Sequence, residues 1–174
     1  MKRKFLTVLI ISFISLSAIF AQQQKIGYVD TDYILNNIPA YKAAQAQLDK
    51  ISADWQKEIE NIYAQVDKMY RDYQAEKVLL TEEMRTKREN EIIAKEKEAK
   101  ELQKKYFGKD GELFKKRNEL VKPIQDDVFN AIKEIASQGN YVLIFDVAGN
   151  SNILYTDPKL DKSDEVLKKL GYKN

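Results

Sequence analysis

YKAAQAQLDKISADWQKEIENIYAQVDKMYRDYQAEKVLL, residues 41–80, contains no glycine and no proline, and neither does its continuation to Phe107. Charged residues recur every second or third position around a thin, regularly spaced apolar series, which predicts long helix. Leu48, Ile51, Trp55, Ile59, Ile62, Val66, Met69, Tyr73 and Leu80 step by three or four residues. Glu76 fills the one a/d-type position that lacks an apolar side chain, so the spacing is the narrow seam of a coiled coil. Such a helix far exceeds the roughly three turns usual in a globular domain. The chain must therefore leave its core and come back.

Thr81, followed by Glu82 and Glu83, reads as an N-cap and an acidic first turn suited to the positive end of a helix dipole. The tip of a helical hairpin belongs there. The return half has a sparser seam in Met84, Ile92, Ala99, Leu102 and Tyr106. Pairs spaced four apart, Glu83/Lys87, Glu91/Lys95, Glu96/Lys100 and Glu101/Lys105, favour helix locally. The two arms, 41–80 and 82–122, would each span about 60 Å, so the chain regains its starting level near Pro123, which should kink or re-cap the helix. Gly108 and Gly111 each weaken a helix interior by about 1 kcal/mol relative to alanine. They mark either a hinge in the return arm or a short loop between two helices.

Lys2, Arg3 and Lys4 precede an apolar run from Phe5 to Phe20, and Ala21 leads into three glutamines. This is the layout of a cleaved signal peptide. An uncleaved anchor is the competing reading, but the run is shorter than the roughly 20 apolar residues of a span. Export leaves a mature chain without cysteine, hence without a disulfide. The whole chain carries 29 basic and 27 acidic residues; loss of the three basic residues of the leader leaves a net charge of −1. Basic and acidic residues are balanced from Tyr41 to Phe107, which argues against a nucleic-acid partner, since that needs a one-signed stripe.

Short β-like pieces flank the arm: residues 25–30, 141–147 and 153–156, the last two joined by the hairpin-like Ala148-Gly149-Asn150-Ser151-Asn152. The first and last parts of the chain should share one sheet. Ile124, Val128, Ile132 and Ile135 predict an amphipathic helix ending near Gly139, and Asp161 or Ser163 should cap a last helix closed by Gly171. Residues 22–40 and 123–174 thus form a body too small to be stable alone. The apolar run from Tyr141 to Phe145 suggests burial on both faces, which association with other copies would supply. Ile26, Tyr28, Val142, Ile144 and Ile153 are the candidates for that shared core.

Catalytic chemistry is scarce. No histidine and no cysteine occur, which removes Cys/His dyads, the Ser/His/Asp triad and nearly all zinc sites. Asp30 and Asp32 could hold a hard cation, yet Asp30-Thr31-Asp32 is also what a helix start requires. No enzyme, metal or cofactor is expected.

The opening Lys25-Ile26-Gly27-Tyr28-Val29-Asp30, the charged hairpin, Glu119-Leu120-Val121-Lys122-Pro123-Ile124-Gln125, Tyr141-Val142-Leu143-Ile144-Phe145-Asp146 and Tyr155-Thr156-Asp157 together resemble the Skp/OmpH-like periplasmic chaperones of diderm bacteria. The resemblance implies an α+β fold: a trimeric, β-barrel-like core with one long antiparallel helical-hairpin arm per chain. It also implies an ATP-independent holdase that encloses unfolded outer-membrane β-barrel proteins between its arms, with transient contacts to the outer-membrane assembly machinery or the membrane surface. The near-neutral mature chain departs from the strongly basic character common in that family, and no lipopolysaccharide site is carried over. Tyr63 and Tyr70, seven residues apart beside the seam, and Val78 and Leu79 near the tip either face cargo or widen the seam. The alternative function is a structural coiled-coil spacer or adaptor of the envelope.

Overall fold

In the computed structural model the described residues are 25–149 and 153–172. The expected signal peptide lies outside them, as do Asn150, Ser151 and Asn152 of the expected hairpin connection. The described residues divide into two compact units, 35–129 and 25–34 with 130–149 and 153–172.

In the first unit Ile38 is extended (φ −95°, ψ 113°), as a residue before proline must be, and helix begins at the next position. The helix Pro39–Glu76 runs for 38 residues, about 57 Å. Residues 77–81 form the tip, and a 26-residue helix, Glu82–Phe107, returns. As the sequence predicts, the Thr81 hydroxyl caps it, accepting from the Met84 N–H at 3.3 Å, with Glu82 and Glu83 in the first turn. A third helix, Glu112–Leu120, continues the return and packs against both of the others. The following helix, Lys122–Gly139, holds Pro123 in its first turn, so the proline re-caps rather than kinks. Its Val128, Ala131 and Ile135 are buried.

In the second unit β1 (Lys25–Val29) and β2 (Tyr141–Asp146) pair in parallel, Gly27 opposite Ile144 and Val29 opposite Asp146. The two ends of the chain do share a sheet. With the short helix α1 (Thr31–Asn36) between strand and arm, the helices above are α2 (Pro39–Glu76), α3 (Glu82–Phe107), α4 (Glu112–Leu120) and α5 (Lys122–Gly139), followed by α6 (Ser163–Lys169). Asp30 caps α1, its carboxylate accepting from the Tyr33 N–H at 2.9 Å. The Asp146 carboxylate accepts from the Thr31 N–H and hydroxyl at 3.2 and 2.7 Å. Asp30-Thr31-Asp32 is therefore a helix entrance. Ser163, buried, accepts from the Asp30 N–H at 2.9 Å and donates to Asp161 at 2.6 Å. Gly171, at φ 82°, closes α6 with the Tyr172 N–H on the Leu167 carbonyl and its own N–H on that of Lys168, the paired bonds of a Schellman end.

One expectation fails here. Ile153–Thr156 is not a strand: the free edge of β1 is met instead by Asp161, bridged to Tyr28, and by Lys162, whose N–H donates to the Tyr28 carbonyl at 2.9 Å. Among the described residues the outer edge of β2, the expected hairpin partner, stays unpaired in this two-stranded sheet, and Leu154 is 97% exposed. Within one chain β2 lacks cover, as expected of a strand whose burial other copies would supply: Val142 is 59% exposed, Leu143 and Phe145 are exposed, and Ile144 is half-buried. Gly139 ends α5 as expected, and the left-handed residue that follows is Asn140 (φ 55°). The absence of a side chain at Gly139 matters for packing: a Cβ there would clash with the Tyr141 ring.

Candidate functional site

Buried residues of α2 mark one stripe: Ala44, Leu48, Ile59, Ile62, Val66 and Tyr73. Opposite them α3 buries only Ile92, Ala99 and Tyr106, a strict heptad. At the base Ala44, Leu48 and Val121 form a cluster joined by Tyr41, Leu113, Leu120 and Ile124. Near the tip Val66, Tyr73 and Ile92 form another, joined by Met69 and Leu80. The sparse return seam is reinforced by polar and aromatic contacts. The Trp55 ring stacks on Tyr106 at 4.5 Å with 2° between planes, and Phe107 meets Trp55 edge-on. The Tyr106 hydroxyl donates to Glu58 at 3.0 Å, and that of Tyr73 donates to Glu89. Each helix thus contributes one tyrosine and one glutamate to the other. The glutamate hydrogen bond, then burial, raises the Tyr73 pKa; burial, then the bond to Glu58, raises that of Tyr106.

Glu76, the polar interruption of the outward seam, faces Arg88 of the return helix at 3.8 Å. Of the four pairs expected along α3, Glu96/Lys100 forms, at 3.9 Å. Lys95 instead reaches Glu98 three positions on, and Glu101 pairs with Lys97 four positions back, because several i,i+3 and i,i+4 neighbours compete on a helix this densely charged.

Gly108 (φ −63°, ψ 167°) and Gly111 (φ −71°, ψ 177°) are both extended. The Gly111 N–H donates to the Gly108 carbonyl at 2.9 Å. Of the two readings of these glycines, the structure has the short loop. A Cβ on Gly108 would fall against the Lys104 carbonyl oxygen, and one on Gly111 would lie 2.8 Å from those of Lys105 and Tyr106.

Of the residues considered for cargo contact, Val78 and Leu79 are each 86% exposed at the tip, Tyr70 is 54% exposed and Tyr63 is half-buried beside the seam. Met84, assigned by spacing to the seam, is exposed, as is Ile93 beside buried Ile92. Ile93 escaped notice because an Ile-Ile pair reads as seam, whereas a helix can bury only one of two successive residues this way. Among the body candidates, Ile26 and Val142 are exposed, and Tyr28, Ile144 and Ile153 half-buried. Among the described residues no group of three acidic side chains could hold a metal ion, and no helix is long and apolar enough to cross a membrane.

Residues 25–170, from β1 to the end of α6, match the family described as Outer membrane protein (OmpH-like). The chain belongs to this OmpH-like family. No curated protein matches it. Among solved structures it is similar to a Caulobacter crescentus CB15 protein described as an outer membrane chaperone (OmpH-like), at 13% identity and a TM-score of 0.64, over 84% of this chain and 83% of that one. At that identity the likeness is one of fold. The OmpH-like chain is mostly helical, with a two-stranded sheet and long helices.

Proposed function

We propose that this OmpH-like protein is an ATP-independent holdase of the periplasm, exported by a cleaved signal peptide at residues 1–21. The observation that carries the proposal is an arm whose seam is satisfied internally while apolar side chains stand outside it, in a family whose Caulobacter crescentus relative is described as an outer membrane chaperone. Residues 41–122 are the arm; 22–40 and 123–174 are the oligomerisation body. Three chains would assemble through the exposed face of β2 and the open segment 153–156, giving Ile26, Tyr28, Val142, Ile144 and Ile153 a shared core. The arms then surround a cavity.

Unfolded outer-membrane β-barrel proteins are the clients. Their alternating apolar strands aggregate edge to edge, and enclosure suppresses that reaction without a catalytic group. Release calls only for transient contacts with the assembly machinery or the membrane surface. Dilution of a urea-unfolded porin with and without the purified protein tests the function. Suppressed light scattering is expected. Unchanged aggregation at several-fold excess removes the holdase reading and leaves the envelope spacer. Sedimentation equilibrium tests the assembly: a trimer is expected, and a fully structured monomer at micromolar concentration would refute it.

A further inference from the structure

Between Tyr41 and Phe107 the large apolar side chains left exposed are Tyr70, Val78, Leu79, Met84 and Ile93, all within residues 70–93. The rest of the hairpin, from Tyr41 to Met69 and from Ala94 to Phe107, exposes none: every Val, Ile, Leu, Met, Phe, Trp or Tyr there is buried or half-buried. The asymmetry is not a matter of poor packing at the tip. Tyr73 and Ile92 are buried in the same stretch, Leu80 packs on them, and the Arg85 side chain donates to the Lys77 carbonyl at 3.0 Å across the turn. The apolar groups stand outside an ordered distal seam.

We infer that the distal third of the arm, residues 70–93, is where the protein grips its client, and that the occupant is an unfolded polypeptide taken by short apolar segments. This rests on the holdase reading and locates its contact surface. Two observations select the occupant. Five separated side chains fall well short of the roughly 20–30 residues a side of a stable interface, so neither a second copy nor a folded partner is matched; brief contacts with a mobile chain are. Charge points the same way: Glu82 and Glu83 adjoin the tip leucines and acidic residues alternate with basic ones, which disfavours an anionic lipid surface. The proximal arm, polar outside its seam, becomes a wall that the client does not wet. A client is then held by the arm ends and left free to rearrange between them.

The test uses the purified full protein and a urea-unfolded porin. A photo-crosslinking phenylalanine analogue is placed at Leu79 or Ile93, and separately at the exposed proximal positions Gln56 and Gln103. Aggregation suppression is compared for wild type and for Y70Q/V78S/L79S/M84Q/I93Q, all exposed positions. Expected are crosslinks from Leu79 and Ile93 only, and at least about a tenfold rise in the concentration giving half-suppression, since each side chain loses apolar contact area. Crosslinking from Gln56 and Gln103 as strong as from Leu79, with the quintuple variant unimpaired, overturns the distal grip while leaving the holdase intact. Crosslinking to folded porin, or to anionic vesicles in place of the unfolded chain, overturns the occupant. Wild type that suppresses nothing overturns the holdase reading itself.

Discussion

Replacing Gly108 and Gly111 together by alanine should destabilise the arm, although both substitutions raise helix propensity. Both dihedral pairs are open to any residue, so the cost is steric. The Cβ atoms would press on the carbonyl oxygens of Lys104, Lys105 and Tyr106, which belong to the last turn of α3 and cannot rotate away as a side chain would. Overpacking of this kind costs about 1–3 kcal/mol per site. The opposing gain, about 1 kcal/mol per site, is realised only if residues 108–111 become helical. That would break the bond from the Gly111 N–H to the Gly108 carbonyl and swing α4, whose Leu113 and Leu120 pack on Ala44, Leu48 and Val121. Loss of that burial costs about 1.5–3 kcal/mol per leucine. Because the two sites share one turn their effects do not simply add, and a net loss of about 2–4 kcal/mol is expected. Far-UV circular dichroism should then show a Tm lower by about 5–15 °C. Trp55, the single tryptophan, stacks on Tyr106 next to the link and gives a local fluorescence signal. A double variant with unchanged or raised Tm and increased helicity would refute the reasoning and make the glycines an interruption that the arm tolerates.

Tyr73 and Tyr106 have raised pKa values, so the stability they contribute is present below the ordinary tyrosine pKa of about 10 and is lost as pH rises through their folded values. Thermal melts across that alkaline range should therefore fall more steeply for wild type than for Y73F/Y106F, and parallel curves would argue against both Tyr–Glu bonds. G139A should cost about 1–3 kcal/mol by displacing the Tyr141 ring, and the same substitution in a Y141A background should cost clearly less in urea unfolding. S163A removes the acceptor of the part-buried Asp30 N–H, for an expected loss of about 1–3 kcal/mol; hydrogen exchange at Asp30 should quicken, and an unchanged rate would show that another group protects it.

The arm was legible because its elements carry local signals. Thr81 and its acidic successors, Pro123 and Gly171 act within one helical turn of themselves, and each stands where its chemistry predicts. What escaped was decided at a distance. Ile153–Thr156 has strand composition but does not pair with β2, and the other edge of the sheet, on β1, is met by Asp161 and Lys162. The composition of Tyr141–Phe145, by contrast, reads as needing neighbours beyond the single chain, and one chain does leave Val142, Leu143 and Phe145 exposed. Spacing placed Tyr70, Val78 and Leu79 outside the seam correctly, yet it assigned Met84 to the seam and passed over Ile93, because a sparse heptad fixes the buried face only once the partner helix is in register.

β1 and β2 lie at opposite ends of the chain; the Thr31 N–H and the Asp146 carboxylate it reaches are 115 positions apart. Contacts so remote are slow to find, whereas α2 and α3 are neighbours through a short tip and can zip locally. Once Ala44, Leu48 and Val121 meet at the base of the hairpin, the long connection between the strands becomes a short detour, and each halving of a loop lowers its closure cost by about 0.6 kcal/mol. Zipping of the arm is therefore expected to come first in the order of folding and to shorten the search of the C-terminal strand for the N-terminal one. A substitution that merely loosens the hairpin is therefore expected to be felt as slow or failed sheet formation, so the arm also helps this chain to fold.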